Sequence, residues 1–385
     1  MAKAFYNIPA TISFADTLAK KLLQQYENDE AGLSNVLILV ANRREGACLR
    51  DAFVRKQGLK PTILPQIVPI GDLEEDEIFL TAENLDGVFY PSISKTERLL
   101  LFTKIIISKP ADFGISEFSL AQAFSLAKEL ALLVNSVQNE QLDFADLQNL
   151  VPEEYASHWQ ETLKFLKIIT SYWPAILKER GFLDIAEKHN LLLKLKNKQW
   201  QKENPKIHII AAGIYADYPE VKDLLKTIYN LPNGEIYIGG LDRNLDDKSW
   251  QEVEENHPQY QLKRLLEYIK ISREEVKDCE KSLNPERERL VSEVMRPANS
   301  TDEWLELKNK SFLPDAFLGL RLAECENLSQ EALMIAMIMR EWIEEKEVTA
   351  ALVSPDRNLS RMVASELSRW GINVDDTAGA PLNRQ

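Results

Sequence analysis

The sequence has few cysteines, no long apolar run and no excess of basic residues, and each absence excludes a class of protein. Its 385 residues include Cys48, Cys279 and Cys325, which are too far apart and odd in number for a disulfide framework or a paired zinc site. The longest apolar run, Ala332 to Met339, is far shorter than the roughly 20 residues that a membrane-spanning helix needs. The first residues contain no apolar segment typical of a signal peptide. We therefore expect a reduced, cytoplasmic location and no membrane partner.

The net charge argues against a protein whose whole surface coats nucleic acid. The chain carries 46 basic and 60 acidic residues, a net charge of −14. The distribution is uneven, because residues 1–66 carry +3, residues 346–385 carry zero and residues 67–345 carry −17. A polyanion is therefore expected to meet the ends of the chain, and the middle is expected to repel it.

Hydrophobic patterning predicts an α/β fold with a parallel sheet. Continuous apolar runs, which are typical of strands buried on both faces, predict strands at 4–9, 35–40, 63–69, 206–213 and 234–242. Helical patterns follow the strands, and the stretch 71–205 is helical from about residue 95 onward. A sheet that stops before this stretch and resumes after it predicts that 71–205 is inserted into one domain.

The remainder of the chain predicts a linker and an incomplete second α/β unit. Residues 243–315 are polar and acidic and favour a connecting region. After them, strands are predicted at 318–328 and 348–355, and a further strand begins at Ile372. These strands are too few to be covered on both faces as a parallel sheet, so we expect the sequence to be the front part of a longer protein.

The first strand–helix junction lies where a phosphate-binding loop is expected, but it lacks the chemistry of one. The loop Pro9–Ser13 contains no glycine to cradle phosphates and no lysine beside a hydroxyl. Lys20 and Lys21 lie two turns into the following helix, too far from the loop. The strand at 206–213 also lacks a terminal Asp-Glu pair to hold Mg²⁺. Both halves of an ATPase site are absent, and we predict no catalytic residue.

No pattern predicts a metal site. None of the four histidines is spaced with a second ligand, and each is expected to be structural. The acidic run Glu74–Glu77 could bind a cation, but a solvated loop is the better interpretation.

The candidate binding residues lie where predicted strands end and helices begin. Asn42, Arg43 and Arg44 follow a buried strand, at the edge where α/β sheets place ligands and helix N-termini meet anions. Two arginines there suit phosphate contacts, and a solvated helix start is the alternative. Arg357 repeats the arrangement, although Asp356 before it favours a simple helix cap.

Seven stretches, in family order and covering nearly the whole chain, resemble the AddB family, the helicase–nuclease subunits of double-strand break repair, in their alphaproteobacterial-type form. The stretches are NVLILVANRREGACLRDAF, LPQIVPIGDLEEDE, LVPEEYASHWQETLKFL, IHIIAAG, IGGLD with HPQYQLKRLLEYI, SEVMRPANSTDEW, and AALVSPDRNLSRMVASELSRWGINVDDTAGAPL. The resemblance implies a superfamily-1 helicase fold with degenerate motifs. Residues 1–70 with 206–242 would form a first RecA-like domain, 71–205 its helical insertion, 243–315 a connection and 316–385 the beginning of a second RecA-like domain.

The resemblance also implies a function, partners and cofactors. Such proteins pair with an AddA subunit, whose motor consumes ATP, and process DNA ends for homologous recombination. Their nuclease domain, with its metal site and in some members an iron–sulfur cluster, is implied to lie downstream, so no cofactor and no nuclease activity are expected here. Asn42, Arg43, Arg44 and Arg357 are the expected DNA-binding residues, for single- or double-stranded ends. The alternative hypothesis is a two-domain α/β transferase that binds a nucleotide-sugar between its lobes.

Overall fold

The computed structural model describes residues 4–29, 31–58, 62–72, 90–108, 117–142, 171–215, 218–309, 312–345, 348–377 and 379. The chain divides into two compact units, Met1–Ala316 and Phe317–Gln385. The acidic run Glu74–Glu77 and the central part of the predicted insertion, residues 143–170, lie outside the described residues.

The first unit is built on a six-stranded, all-parallel sheet, which confirms the predicted α/β class. Its strands are β1 (Ala4–Ile8), β2 (Val36–Val40), β3 (Gln66–Pro69), β4 (His208–Ala212), β5 (Gly234–Gly239) and β6 (Lys277–Asp278). Their order across the sheet is β3-β2-β4-β5-β1-β6. All five residues of β2 are buried, as expected for a strand between two paired neighbours and covered on both faces.

Ten α-helices of the first unit lie in the described residues: α1 (Phe14–Gln25), α2 (Arg43–Gln57), α3 (Lys95–Ser108), α4 (Leu120–Asn139), α5 (Trp173–Arg180), α6 (Ile185–Glu203), α7 (Pro219–Asn230), α8 (Asp247–Gln251), α9 (Tyr260–Ile269) and α10 (Pro285–Val294). The second unit contributes α11 (Leu328–Glu344) and α12 (Arg357–Ser368). Among the described helices, none combines the length and the apolar character needed to cross a bilayer.

The helices cover opposite faces of the sheet. α1 and α2 pack on one face, where Leu18 and Phe53 join the same cluster as Ile38 of β2. α7 and α9 pack on the other face, where Leu225 and Leu266 join the cluster of the sheet residues turned that way. The neighbouring strands β1 and β5 therefore lead into helices on opposite faces, which opens a crevice at their carboxyl ends.

Residues 243–315, which the sequence predicts as a connecting region, contribute to the sheet unit in the structure. β6 pairs with β1, with Lys277 opposite Tyr6. Trp250 of α8 and Leu262 of α9 are buried in the same cluster as the sheet. Most positions of this stretch are polar and lie on the surface, so its composition resembles that of a linker. The few apolar residues that pack against the sheet do not change that composition enough to be noticed.

The second unit is a helix pair, and the strands predicted in it are wrong. α11 and α12 pack through small and branched residues, namely Ala332, Ala336, Leu359, Val363 and Leu367. The described residues of this unit contain no strand, at 318–328, at 348–355 or from Ile372 onward. An apolar run becomes a strand only where neighbouring strands satisfy its backbone groups. Here Val353 is 94% exposed.

A buried ion pair connects the helices that lie between β3 and β4. Arg98 on α3 lies 3.3 Å from Asp184, which precedes α6, and their side chains are 3% and 0% exposed. Trp173 of α5 donates its indole N–H to Asp184 at 2.6 Å, and Arg98 donates to Asn135 of α4 at 2.6 Å. Burial lowers the pKa of Arg98, and the charge of Asp184 acts in the opposite direction. Four helices therefore share one charged network.

We expect Asp184→Asn to destabilise the chain by about 3–5 kcal/mol, because it leaves Arg98 as an uncompensated buried charge. The matched control is Glu97→Gln, which breaks the exposed Arg180–Glu97 pair at 3.2 Å and is expected to cost about 1 kcal/mol or less. Urea denaturation followed by circular dichroism measures both. Equal losses for the two variants would show that the buried pair contributes no more than a surface pair.

We also expect the amides of 348–353 to exchange with deuterium about 10³-fold faster than those of 36–40. The first group lies outside any described strand, whereas β2 is hydrogen-bonded on both sides and exchanges only after an opening that costs several kcal/mol. Mass-spectrometric exchange on dilute monomer measures the difference. Equal protection of the two segments would contradict the unpaired state of 348–353.

Candidate functional site

The carboxyl edge of the sheet carries three features that bear on function: the β1–α1 junction, the β2–α2 junction and a cleft beside β1. Because all six strands are parallel, the loops that follow them lie at this one edge. Each feature is described from its own residues.

The N-terminus of α1 is already occupied by groups of the chain itself. The side-chain oxygen of Ser13 accepts a hydrogen bond from the Asp16 N–H at 3.3 Å. The Asp16 carboxylate lies 2.7 Å from Arg55 and 3.3 Å from Lys56. Burial acts to raise the pKa of Asp16, but the hydrogen bonds from Arg55 and Lys56 outweigh it and hold the pKa below its ordinary value. A bound phosphate at this helix end would meet the negative charge of Asp16.

Above the ends of β1, β2, β4 and β5 lies an apolar cavity of about 500 Å³. Aromatic groups form part of its wall: the Tyr215 hydroxyl accepts a hydrogen bond from the Gly239 N–H at 2.7 Å, and Phe14 packs beside Gly239. A Cβ atom at Gly239 would lie 3.2 Å from both Phe14 and the Tyr215 hydroxyl, closer than ordinary van der Waals contact, so glycine suits this close packing. No basic residue is among the described residues that line this cavity, and Glu45 is the charged one. The cavity is therefore poorly suited to phosphates.

At the β2–α2 junction, Asn42 acts as a helix cap. Its side-chain oxygen accepts a hydrogen bond from the Glu45 N–H at 3.0 Å, and its amide donates to the Glu45 carboxylate at 3.0 Å. Glu45 also accepts from the Ala41 N–H at 3.2 Å. These bonds satisfy the end of the helix and leave the two following arginines on the surface.

Arg43 forms a two-bond ion pair with Asp72, at 2.5 Å and 3.2 Å, and its side chain is 83% exposed. Arg44 is also exposed. An ion pair this exposed contributes little to stability, because water and salt screen it. The Arg43 guanidinium can therefore exchange Asp72 for another oxyanion, such as a phosphate, because it can donate two hydrogen bonds to a pair of oxygens in either group.

Arg357 lies in the second unit, at the start of α12, so the structure does not assign it to the same junction as Asn42, Arg43 and Arg44. Asp356 caps this helix by accepting a hydrogen bond from the Asn358 N–H at 2.7 Å, which confirms the predicted cap. Arg357 pairs with Asp376 at 3.0 Å and 3.2 Å. Asp72 and Asp376, 29 and 19 residues beyond their arginines, were not predicted as partners, and no local sequence signal identifies them.

A cleft of about 1050 Å³ lies beside β1 and is lined by the loops after β1, β5 and β6 and by α10. Much of its polar wall is hydrogen-bonded to itself. Asn7 accepts from the Leu241 N–H at 3.0 Å and donates to Asp278 at 2.7 Å, and Arg243 pairs with Asp278 at 3.2 Å. The cleft is large enough for a nucleotide-sized ligand.

Within the described residues, no group of three or more His, Cys, Asp or Glu side chains could hold a metal ion. His208 lies 2.9 Å from the Tyr26 hydroxyl and 3.5 Å from Glu235, and His257 lies 2.7 Å from the Met295 carbonyl. His158 lies outside the described residues.

Comparison with known proteins identifies no family for the chain. No protein-family model matches it, and a search of curated proteins finds no match. The α/β class rests on the structure alone, and the resemblance to AddB stays a prediction.

We expect the purified chain to release no phosphate from ATP, with or without single-stranded DNA. Asp16, Phe14 and Tyr215 occupy the junction where a phosphate-binding loop would bind the nucleotide. A coupled phosphate-release assay measures this, with a known DNA-dependent ATPase as the positive control. DNA-stimulated turnover that follows the chain through two unrelated chromatography steps would contradict the prediction.

Proposed function

We propose that the chain is the non-hydrolysing, helicase-like part of an AddAB-type helicase–nuclease, which processes DNA ends in the cytoplasm for double-strand break repair by homologous recombination. The observation that supports this is a contrast between two junctions at one edge of the sheet. The β1–α1 junction carries a carboxylate and aromatic side chains, whereas the β2–α2 junction exposes Arg43 and Arg44. An edge of this kind suits an anionic polymer better than a nucleoside triphosphate.

In this proposal the sheet is a degenerate first RecA-like domain with the helices between β3 and β4 as its insertion. Support comes from the separate core of α3, α4 and α5, in which Phe102, Leu130 and Trp173 are buried together. The second unit would be the beginning of a second RecA-like domain. Its two helices pack against each other, and its described residues contain no strand.

DNA would bind through phosphate contacts that replace weak internal ion pairs. Arg43 would exchange Asp72 for a phosphate, and Arg357 in the second unit would exchange Asp376. Guanidinium groups bind phosphate oxygens through two parallel hydrogen bonds, so each exchange conserves the number of bonds. Asn42 would serve as a positioning residue, because its side chain fixes the start of α2. An AddA-like partner would supply ATP hydrolysis.

The alternative, a nucleotide-sugar transferase, is favoured by one observation, the cleft of about 1050 Å³. The described residues that line it all belong to the first unit. The β2–α2 arginines are not among them. A rise in melting temperature with UDP-sugars, together with no binding of DNA, would favour the transferase.

We expect the double variant Arg43→Ala with Arg44→Ala to weaken single-stranded DNA binding and to reduce the salt slope of binding by about one to two. The control is Arg180→Ala with Arg340→Ala, which removes the same charge from exposed positions elsewhere. Fluorescence anisotropy of a labelled oligonucleotide at several salt concentrations measures both variants. If the first variant is folded but matches its control in affinity and slope, the arginines are only a solvated helix start.

A further inference from the structure

The largest local excess of positive charge lies in the acidic middle of the chain. Residues 188–206 contain six lysines and one glutamate, whereas the whole stretch 67–345 carries −17. These lysines lie on α6 and the turn that follows it, between the inserted helices and β4. Such a concentration of one charge sign on one element requires an explanation.

The structure separates these lysines into two groups with different roles. Lys188 and Lys196 are buried: Lys188 donates to the Tyr90 carbonyl at 3.2 Å, and the Lys196 ammonium lies 5.6 Å from the centre of the Trp200 ring. Lys206, in the turn after α6, is exposed. The three helical lysines Lys194, Lys198 and Lys202 are also exposed. Their four-residue spacing places them on one face of the helix, about 6 Å apart along its axis. We call these three residues the lysine row.

The neighbouring helix α7 carries two further lysines, of which Lys222 is buried and Lys226 is half-buried. Gln201 of α6 donates to the Thr227 hydroxyl of α7 at 3.0 Å, which fixes the two helices side by side. On α7, the ammonium groups of Lys222 and Lys226 lie 5.5 Å and 4.8 Å from the centre of the Tyr268 ring.

Three acids accompany this surface, and Glu203 of α6 is the first, which accepts a hydrogen bond from Gln199 at 3.1 Å. Glu220 is buried, and burial raises its pKa, while Lys194 acts to lower it and Asp223 to raise it further. Asp223 accepts a hydrogen bond from the Tyr268 hydroxyl. The five lysines Lys194, Lys198, Lys202, Lys222 and Lys226 outnumber these three carboxylates, so the two helices stay net positive even with all three acids ionised.

We infer that the lysine row is a second nucleic-acid contact surface, which binds the phosphate backbone of DNA independently of sequence. This inference rests on the proposed function. A row about 12 Å long faces several phosphates, because duplex DNA carries one charge per roughly 1.7 Å of its axis. The apolar face of α6 is buried, with Leu192, Leu193 and Trp200, so the helix has no free apolar face to insert into a membrane surface.

The test is charge reversal of the lysine row, Lys194→Glu with Lys198→Glu and Lys202→Glu. The matched control is Lys104→Glu with Lys128→Glu and Lys248→Glu, three exposed lysines on other helices with the same total change of charge. Anisotropy of a labelled oligonucleotide is measured at several salt concentrations for both variants, for the arginine double variant and for the unmodified chain. Poly-glutamate is used as a second polyanionic probe.

The inference predicts that reversal of the lysine row weakens DNA binding about tenfold more than the control and lowers the salt slope by about two to three. Equal affinities for row and control, with the unmodified chain binding DNA, would overturn the inference alone and leave the arginine junction standing. If reversal of the lysine row abolishes poly-glutamate binding but leaves DNA binding unchanged, the row binds an acidic protein. This result would also overturn the inference. An unmodified chain that binds no DNA would overturn both this inference and the proposed function.

Discussion

The parallel direction of all six strands is the constraint on which the rest of the structure depends. It brings the loops after β1, β2, β4 and β5 to one edge, and the opposite winding of α1 and α9 opens a crevice there. In such an edge, the groups at each strand–helix junction decide which anion can bind. At the β1–α1 junction, the carboxylate of Asp16 already lies at the N-terminus of the helix. The β2–α2 junction instead presents Arg43 and Arg44.

Burial determines how much each charged pair contributes. The Arg98–Asp184 pair is almost inaccessible to water. Removal of either partner would leave an uncompensated buried charge and destabilise the fold, so the pair has a structural role. The Arg43–Asp72 and Arg357–Asp376 pairs are both accessible to water, the first more than the second, so each is open to an external anion. The same chemistry, guanidinium with carboxylate, therefore serves structure in one place and is available for binding in the other.

Sequence patterns predicted the strands that have long apolar runs. They failed where strand formation depends on whether a neighbouring strand is present to pair with. β2 and β4 follow from continuous apolar residues, and the cap at Asp356 follows from local chemistry. The two-residue strand β6 has no apolar pattern, and the run 348–353 has the pattern without a partner strand. Asp72 could not be predicted because its contact with Arg43 depends on the fold. The lysine row could have been predicted from its spacing, but net charge over a long stretch concealed it.

The central claim is that this edge binds a nucleic-acid backbone at the β2–α2 junction and no nucleotide at the β1–α1 junction. Side-chain footprinting tests it most directly: arginines and lysines are chemically labelled with and without single-stranded DNA or ATP, and the labelled sites are measured by mass spectrometry. The account predicts that DNA lowers the labelling of Arg43 and Arg44, whereas ATP changes neither these arginines nor Lys20 and Lys21. Unchanged labelling of both arginines at saturating DNA, or protection of Lys20 and Lys21 by ATP, would contradict it.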